Sequence, residues 1–216
     1  MSIANMLSGR LDGGAKARLL FAANGESDYE LGSVTEAGSA TLERVADAAY
    51  RGAYGWRRSG DGSSSAYSVY DTGISVALGQ WVFMRTKARL VSYDATGCII
   101  AHAQPELNRY EIFFADSTTL SMRSGTVVGR MNFTVQTGRW YDAIYGQRRG
   151  TSGQAIGILT DLATGGVQME HLTGLNNSGY LDDTIRFNVS NSLDGNDSTV
   201  FDIDNARLAL DAIPRP

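Results

Sequence analysis

From about residue 38 onward the chain breaks into short stretches in which apolar and polar residues alternate, separated by glycine or by clusters of Ser, Thr, Asn and Asp. ATLERVA, AYGWRRSG, SAYSVYDTG, ISVALG, QWVFMRTKARLVSY and GCIIAHA form the first series; RYEIFFAD, TVVGRMNFTV, RWYDAIYG, QAIGILTD, GVQMEHL, TIRFNVS and TVFDIDNARLAL continue it. Alternation with a period of two is strand periodicity, because successive side chains of a strand point to opposite faces. Roughly a dozen strands with turn signals between them predict an all-β protein, a two-sheet antiparallel jelly-roll sandwich. Twenty-five glycines against three prolines suit such a chain of strands and turns. Residues 37–212 are assigned to the sandwich. Residues 1–36 are less regular and read as an N-terminal arm, or as a first strand in KARLLFAANG followed by a connecting loop in SDYELGSVTEAG; residues 213–216 form a tail.

Composition narrows the function. A domain of 216 residues buries about 70% of its unfolded surface and needs no covalent or metal staple. Cys98 is the sole cysteine, which excludes an intramolecular disulfide and a multi-cysteine zinc site. The net charge is -4 with both signs mixed along the chain, so no basic stripe exists to follow a phosphate backbone and nucleic acid is not an expected partner. Lys16 and Lys87 are the only lysines among nineteen cationic residues, the rest being arginine. The opening MSIANMLSGRLDGG lacks the continuous apolar run of a secretory signal, and no apolar stretch approaches the length of a membrane span. A soluble protein is expected.

Phase assigns faces. In QWVFMRTKARL, Val82, Met84, Ala88 and Leu90 share one side, and Trp81, Phe83, Arg85, Lys87 and Arg89 share the other. Two aromatics followed by cations on one face make a stacking platform for a planar or sugar ligand; the alternative is that another part of the chain covers Trp81 and Phe83. Ala-Arg-Leu recurs at 17–19, 88–90 and 206–208, and alternation places Arg18, Arg89 and Arg207 on solvated strand faces with Ala and Leu inward. In TVFDIDNARLAL the apolar set Phe201 and Ile203 is out of step with Ala206, Leu208 and Leu210. One extra residue must be absorbed, which predicts a β-bulge at Asp204 and Asn205. Asp202 and Asp204 then lie at a kink on the polar face. With Asp194, Asn196 and Asp197 of the preceding SLDGNDS loop they offer oxygen ligands for a structural calcium ion. Ordinary turn chemistry accounts for the same residues, and no cofactor is required.

The stretch DAAYRGAYGWRRSGDGSSSAYSVYDTGISVALGQWVFMRTKARL, together with the ending IRFNVSNSLDGNDSTVFDIDNARLAL, resembles carbohydrate-binding modules of the family-four and family-nine type. The matching positions are Gly52 and Gly55 at a strand opening, Gly79 with Trp81 at a strand start, and Asp202, Asp204 and Leu208 in the closing strand. The middle section GRWYDAIYGQRRGTSGQAIGILTDLATGGVQ is similar instead to laminin-G and concanavalin-type sandwiches. Both resemblances imply a jelly roll, and they place the binding face differently.

Catalytic patterns are incomplete. Jelly-roll glucanases carry E-x-D-x-x-E, whose two glutamates act as nucleophile and acid; FDIDNAR has Asp202 at the first position and Arg207 near the last. Polysaccharide lyases of similar shape pair a Gln-x-His strand with a Tyr-rich one. Tyr141, Tyr145 and Gln147 resemble the second, but His102 follows Ile100 and Ala101 without the glutamine. His102 and His171 are the only histidines, and no H-E-x-x-H, G-x-S-x-G or phosphate loop is present. His102 reads as a core histidine and Cys98 as a small apolar residue. The expectation is a non-catalytic binding or structural protein displayed on a larger assembly, such as a phage virion decoration or fibre component, on the virion or extracellular surface. Its expected partners are other subunits in a homo-oligomer and, through a second property, a polysaccharide or cell-surface glycan. A module of a polysaccharide-degrading system is the alternative, and a lyase or glycoside hydrolase the second. Candidate glycan contacts are Tyr54, Trp56, Trp81, Trp140 and Tyr145, with Arg57, Arg58, Gln147 and Arg148 as hydrogen-bonding neighbours.

Overall fold

The computed structural model describes residues 18–26, 33–36, 40–59, 66–94, 98–104, 110–124, 128–176, 186–189 and 198–214. In chain order the strands are β1 (Arg18–Ala23), β2 (Ser33–Glu36), β3 (Thr41–Val45), β4 (Gly55–Ser59) and β5 (Ala66–Asp71). Then come β6 (Trp81–Ser92), β7 (Cys98–Gln104), β8 (Tyr110–Asp116), β9 (Thr119–Ser124) and β10 (Val128–Thr134). β11 (Trp140–Arg148), β12 (Gly153–Asp161), β13 (Val167–Leu175), β14 (Arg186–Val189) and β15 (Val200–Leu210) complete the set. The helical element among the described residues is one 3-10 turn, Ala46–Ala48. Among the described residues no helix is long and apolar enough to cross a membrane.

The strands form two antiparallel sheets, as a jelly-roll sandwich requires. One runs β13-β12-β11-β6-β15-β4-β3 with β1 also on β15, and the other runs β10-β9-β8-β7-β14-β5-β2. The core between them takes one face of every central strand: Val82, Met84, Ala88 and Leu90 of β6, Tyr141 and Ala143 of β11. Phe201, Ile203, Ala206 and Leu208 of β15 meet Ile112, Phe114, Met122 and Phe133 of the second sheet. The β6 alternation therefore holds over its full length.

One expected strand is absent and two strands were not expected. ISVALG is not a strand; it closes in a turn in which Gln80 N–H donates to the Ala77 carbonyl, and Gly79 takes a φ of +82°. The run is apolar, but only Val76 is buried. TLSMRS forms β9 and pairs with both β8 and β10, although its Ser and Thr content obscures the alternation. SVTE, expected within a loop, forms β2 and pairs with β5. KARLLFAANG does supply β1, but Leu19 is 51% exposed because the pairing with β15 shifts register between Leu19 and Phe21.

One irregularity positions the site. β15 pairs with β6 along one edge; along the other it pairs first with β4, through Phe201–Ile203, and then with β1, through Ala206–Leu210. Between the two partners its register slips from Asp204 to Arg207, and Asn205 adopts a φ of +51°. The bulge lies where the sequence phase demands it. It marks the gap where β1 ends and β4 begins, and the segments bordering that gap, residues 24–26 and 50–53, rise over the outer face of the sheet.

Candidate functional site

The outer face of the eight-stranded sheet is divided along β6. At its start Trp81 stacks on Phe83, with centroids 5.3 Å apart, and Ile144, Ile156, Ile158 and Ile213 close over them. Gly146 makes this close packing possible, since a Cβ there would lie 2.3 Å from the Phe83 ring. The cover is the chain's own C-terminal segment. Asp211 N–H donates to the Trp81 carbonyl, and Gln80 Nε2 donates to the Asp211 carboxylate. Arg85 donates to the Pro214 carbonyl at the boundary.

Past that boundary the same face is charged and open. Arg85 grips Asp142 with two N–H groups, Nε at 3.0 Å, and Lys87 Nζ lies 2.7 Å from the same carboxylate. Opposite registration explains the meeting, because Asp142 of β11 faces Lys87 directly. Two residues on, Asp202 receives Arg57 Nε at 2.7 Å and Arg89 Nε at 2.8 Å, being registered against both arginines. Burial lowers the pKa of Lys87, while Asp142 opposes the shift. Burial alone would raise Asp142, but the hydrogen bonds and charge of Arg85, aided by Lys87, hold its carboxyl below the usual range.

Asp204 does something else. Its Oδ2 accepts from the backbone N–H groups of Tyr50 and Arg51, both at 3.0 Å, and its Oδ1 accepts from Asn205 N–H. Burial raises its pKa despite these donors. Asp204 thus fastens the Tyr50–Arg51 segment to the bulge, and Glu26 fastens the next turn by accepting from Ala53 N–H at 2.9 Å. Gly55 lets β4 start directly beneath: a Cβ there would lie 1.9 Å from the Ala48 carbonyl oxygen of the 3-10 turn.

The result is a groove with two cavities. One, of about 570 Å³, is walled by Glu26, Tyr50, Arg51 and Leu162 and floored by Arg85, Lys87 and Asp142. The other, of about 350 Å³, is lined by Asp47, Arg57, Arg89, Val91 and Gly138. Between them Tyr50 and Trp140 pack with their rings tilted, centroids 5.7 Å apart, and the Arg89 guanidinium sits 4.9 Å over the Trp140 ring. Neither the Tyr50 hydroxyl nor the Trp140 indole N–H has a hydrogen-bond partner among the described residues.

Of the residues offered by the sequence as glycan contacts, Arg57 lines the second cavity; Trp140 lines neither cavity but packs against Tyr50 of the first and Arg89 of the second. Trp56, Tyr145 and Gln147 stand outside both: their strand phase turns them into the sandwich, where all three are buried. Arg58 follows the same phase and donates to the Thr199 carbonyl from the interior. Trp81 lies on the outer face but is sealed by Ile213, so the platform reading of Trp81 and Phe83 gives way to the covered one. Tyr54 is 38% exposed beneath the Arg44 guanidinium, and Arg148 bonds the Gly79 carbonyl; both lie outside the groove. Arg89, expected on a merely solvated face, is a partner of Asp202.

Of the residues offered for a calcium ion, Asp202 turns its oxygens to Arg57 and Arg89, and Asp204 turns its oxygens to backbone N–H groups. Among the described residues no cluster of three His, Cys, Asp or Glu could hold a metal. Asp194, Asn196 and Asp197 lie outside the described residues, as do residues 1–17 of the expected arm. Cys98 and His102 fall on β7.

Sequence reasoning missed Tyr50, Arg51 and Asp142. The parity of β11 would have put Asp142 beside Trp140; Tyr50 and Arg51 stand outside any strand and carry no periodic signal.

No protein-family model matches the chain, and no curated protein matches it. Solved structures share its fold. An endo-β-1,4-glucuronan lyase from the fungus Trichoderma reesei is 14% identical with a TM-score of 0.62, over 88% of this chain and 94% of that one. Peanut lectin is 11% identical with a TM-score of 0.56, over 93% of this chain and 100% of that one. The CBM2 module of the evolved Dit of Lactobacillus casei BL23 phage J-1 is 10% identical with a TM-score of 0.52, over 89% and 95%. At these identities the likeness is one of fold: this chain is an all-β jelly-roll sandwich, the fold that the lyase, the lectin and the phage module share.

Proposed function

We propose that the protein is a non-catalytic glycan-binding protein, displayed on a larger assembly such as a phage virion, whose ligand lies in the groove along β6. The observation that carries this reading is the Tyr50–Trp140 pair. Two aromatic rings stand between two cavities with their polar atoms unpartnered, which suits stacking on a sugar ring and hydrogen bonding to its hydroxyls. The phage module and the lectins of the same fold favour the same class of ligand. A module of a polysaccharide-degrading system would use the groove in the same way.

Hydrolysis finds no support in the groove. Retaining and inverting glycosidases need one carboxyl as acid and a second as nucleophile or base. Asp142 and Asp202 are each held by two cations, Asp204 is enclosed by N–H donors, and the remaining groove acids, Glu26 and Asp47, line different cavities. A second reading, polysaccharide lyase, draws on the lyase that shares the fold and on Lys87, which lines the larger cavity with its pKa lowered by burial.

A glycan array probed with the wild type and Trp140→Ala tests the proposal. Binding by the wild type and its loss in the variant are expected; binding to no glycan overturns the reading. Appearance of ultraviolet-absorbing unsaturated products from a bound polyuronate replaces binding by lyase activity. For the assembly, light scattering should show an oligomer that dissociates on removal of residues 1–14. A monomer before and after removes that part of the proposal.

A further inference from the structure

We infer that the ligand class is a linear acidic polysaccharide, its carboxylate or sulfate groups read by Arg51 and by two cation-rich triads spaced along β6. This rests on the glycan-binding reading and specifies the chemistry of the same groove.

Each buried carboxylate of the groove floor is matched by two cations. Asp142 holds Arg85 and Lys87, and Asp202 holds Arg57 and Arg89, so each triad retains one positive charge. The carboxylate of the second triad lies underneath: Asp202 is 0% exposed, whereas the Arg57 and Arg89 side chains are 29% and 22% exposed. The outward side of that triad is therefore cationic. Arg51 adds a third charge at the rim. Its guanidinium makes no ion pair among the described residues and lies 5.6 Å from the Tyr50 ring centroid.

Two acidic residues oppose these charges, Glu26 beside the first cavity and Asp47 beside the second. One oxygen of Glu26 is already taken by Ala53 N–H. Asp204, beneath the segment, is engaged by backbone N–H groups, and burial disfavours its charge. Five cationic side chains thus stand among five carboxylates, of which Asp142, Asp202 and Asp204 are buried, so the outward charge of the second triad and the rim is carried by Arg57, Arg89 and Arg51, in a chain whose net charge is -4.

Stability does not explain the arrangement. Buried ion pairs return little over well-packed apolar residues, because their desolvation offsets their attraction. The first half of the same sheet face is apolar and closed, so this fold accommodates an apolar alternative a few residues away. Spacing points to a polymer. Arg85, Lys87 and Arg89 alternate on one strand face and span about 14 Å at about 3.4 Å per residue, with a cavity at each end and the aromatic pair between. A single sugar would engage one triad; a chain bearing repeated anionic groups engages both.

Calorimetric titration of the full chain separates the cases, using a polyuronate oligomer, a sulfated oligosaccharide and a neutral β-glucan of matched length. Binding of either acidic probe about tenfold or more tighter than the neutral one, weakened by added salt, is expected from charge-assisted contacts; which acidic probe binds names the anionic group. Arg51→Gln should lower acidic binding about tenfold and neutral binding by a smaller factor, with Arg51→Lys recovering part of the loss and the circular dichroism spectrum constant; an equal loss for both probes overturns the role of the Arg51 charge. Equal or tighter binding of the neutral glucan overturns the acidic class and leaves glycan binding standing. Failure of all three probes to bind removes both.

Discussion

The two halves of the β6 outer face carry side chains from the same strand phase and have opposite fates. Trp81 and Phe83 are enclosed by isoleucines and by the C-terminal segment, whereas Arg85, Lys87 and Arg89 open onto cavities. Aromatic content does not decide which half of this face stays open; coverage does. The first half can be sealed because apolar surface gains on leaving water. Sealing the second would strip solvent from two triads that each keep a net charge, at a cost of several kcal/mol per ion. The C-terminal segment stops at the line between them, where Arg85 holds the Pro214 carbonyl.

The sharpest way to break this comparison is Trp81→Ala. Removing a buried indole from the sealed half is expected to cost about 3–5 kcal/mol of unfolding free energy, while affinity per folded molecule for any groove ligand stays the same. Urea unfolding and titration on one preparation check both. A fall in affinity without a fall in stability would make Trp81 a ligand contact and the sealed half an open one.

Asp202→Ala comes next. It strands Arg57 and Arg89 without their shared carboxylate; since both guanidinia reach solvent, the expected cost is about 3 kcal/mol, at the lower edge for breaking a buried pair. Equilibrium unfolding measures it, and a cost near zero would show that the triad is a surface ion pair of the ordinary weak kind.

Phase carried most of what could be read in advance. Val82 to Leu90 alternates strictly, and the one break in the alternation from Phe201 to Leu210 marks the bulge at Asp204–Asn205. Periodicity assigns a residue to a face but not to a covered or an open part of that face. Trp81 is therefore placed on the correct side, with the platform and the covered alternatives both left open. Trp56, Tyr145 and Gln147 were offered as contacts by residue type, although their own phase points inward with Tyr141 and Ala143. Asp202 and Asp204 look alike in FDIDNAR; only the strands on either side tell them apart, since one meets two arginines and the other meets two backbone N–H groups. Tyr50 and Arg51 had no signal, because a loop held by a residue 153 or 154 positions away leaves no local pattern.

Asp204→Asn sharpens the role of that hold. The amide oxygen can still accept from Tyr50 and Arg51, but the amide nitrogen then faces Asn205 N–H, donor against donor. An unsatisfied buried group costs about 1–3 kcal/mol. The expected signature is local: faster hydrogen exchange at Tyr50 and Arg51 with core strands unchanged, and a larger relative loss in glycan affinity than in stability. Uniform acceleration across the sheet would instead make Asp204 a general structural carboxylate. The wild type carries a further check. Its folded Asp204 pKa lies above 3.8, so the folded state holds the extra proton between the two values and this residue's contribution falls as pH rises through that window. The contribution should vanish in the asparagine variant.

Lys87→Met is expected to have the smallest effect at neutral pH, within about 1 kcal/mol, because Asp142 keeps both Arg85 bonds and the change removes one desolvated ammonium from a set that retains its carboxylate–guanidinium pair. The difference should emerge in alkali. The folded pKa of Lys87 lies below the ordinary 10.5, so between the two values the unfolded chain binds more protons than the folded one, and stability from this residue increases with pH. Wild type should therefore gain on Lys87→Met as pH is raised from neutral toward 10.5, an advantage read by urea unfolding at a series of pH values. A difference that stays flat would mean that Lys87 carries a fully hydrated ammonium, and the open half of β6 would then be a plain solvated surface with no desolvated cation to present to a ligand.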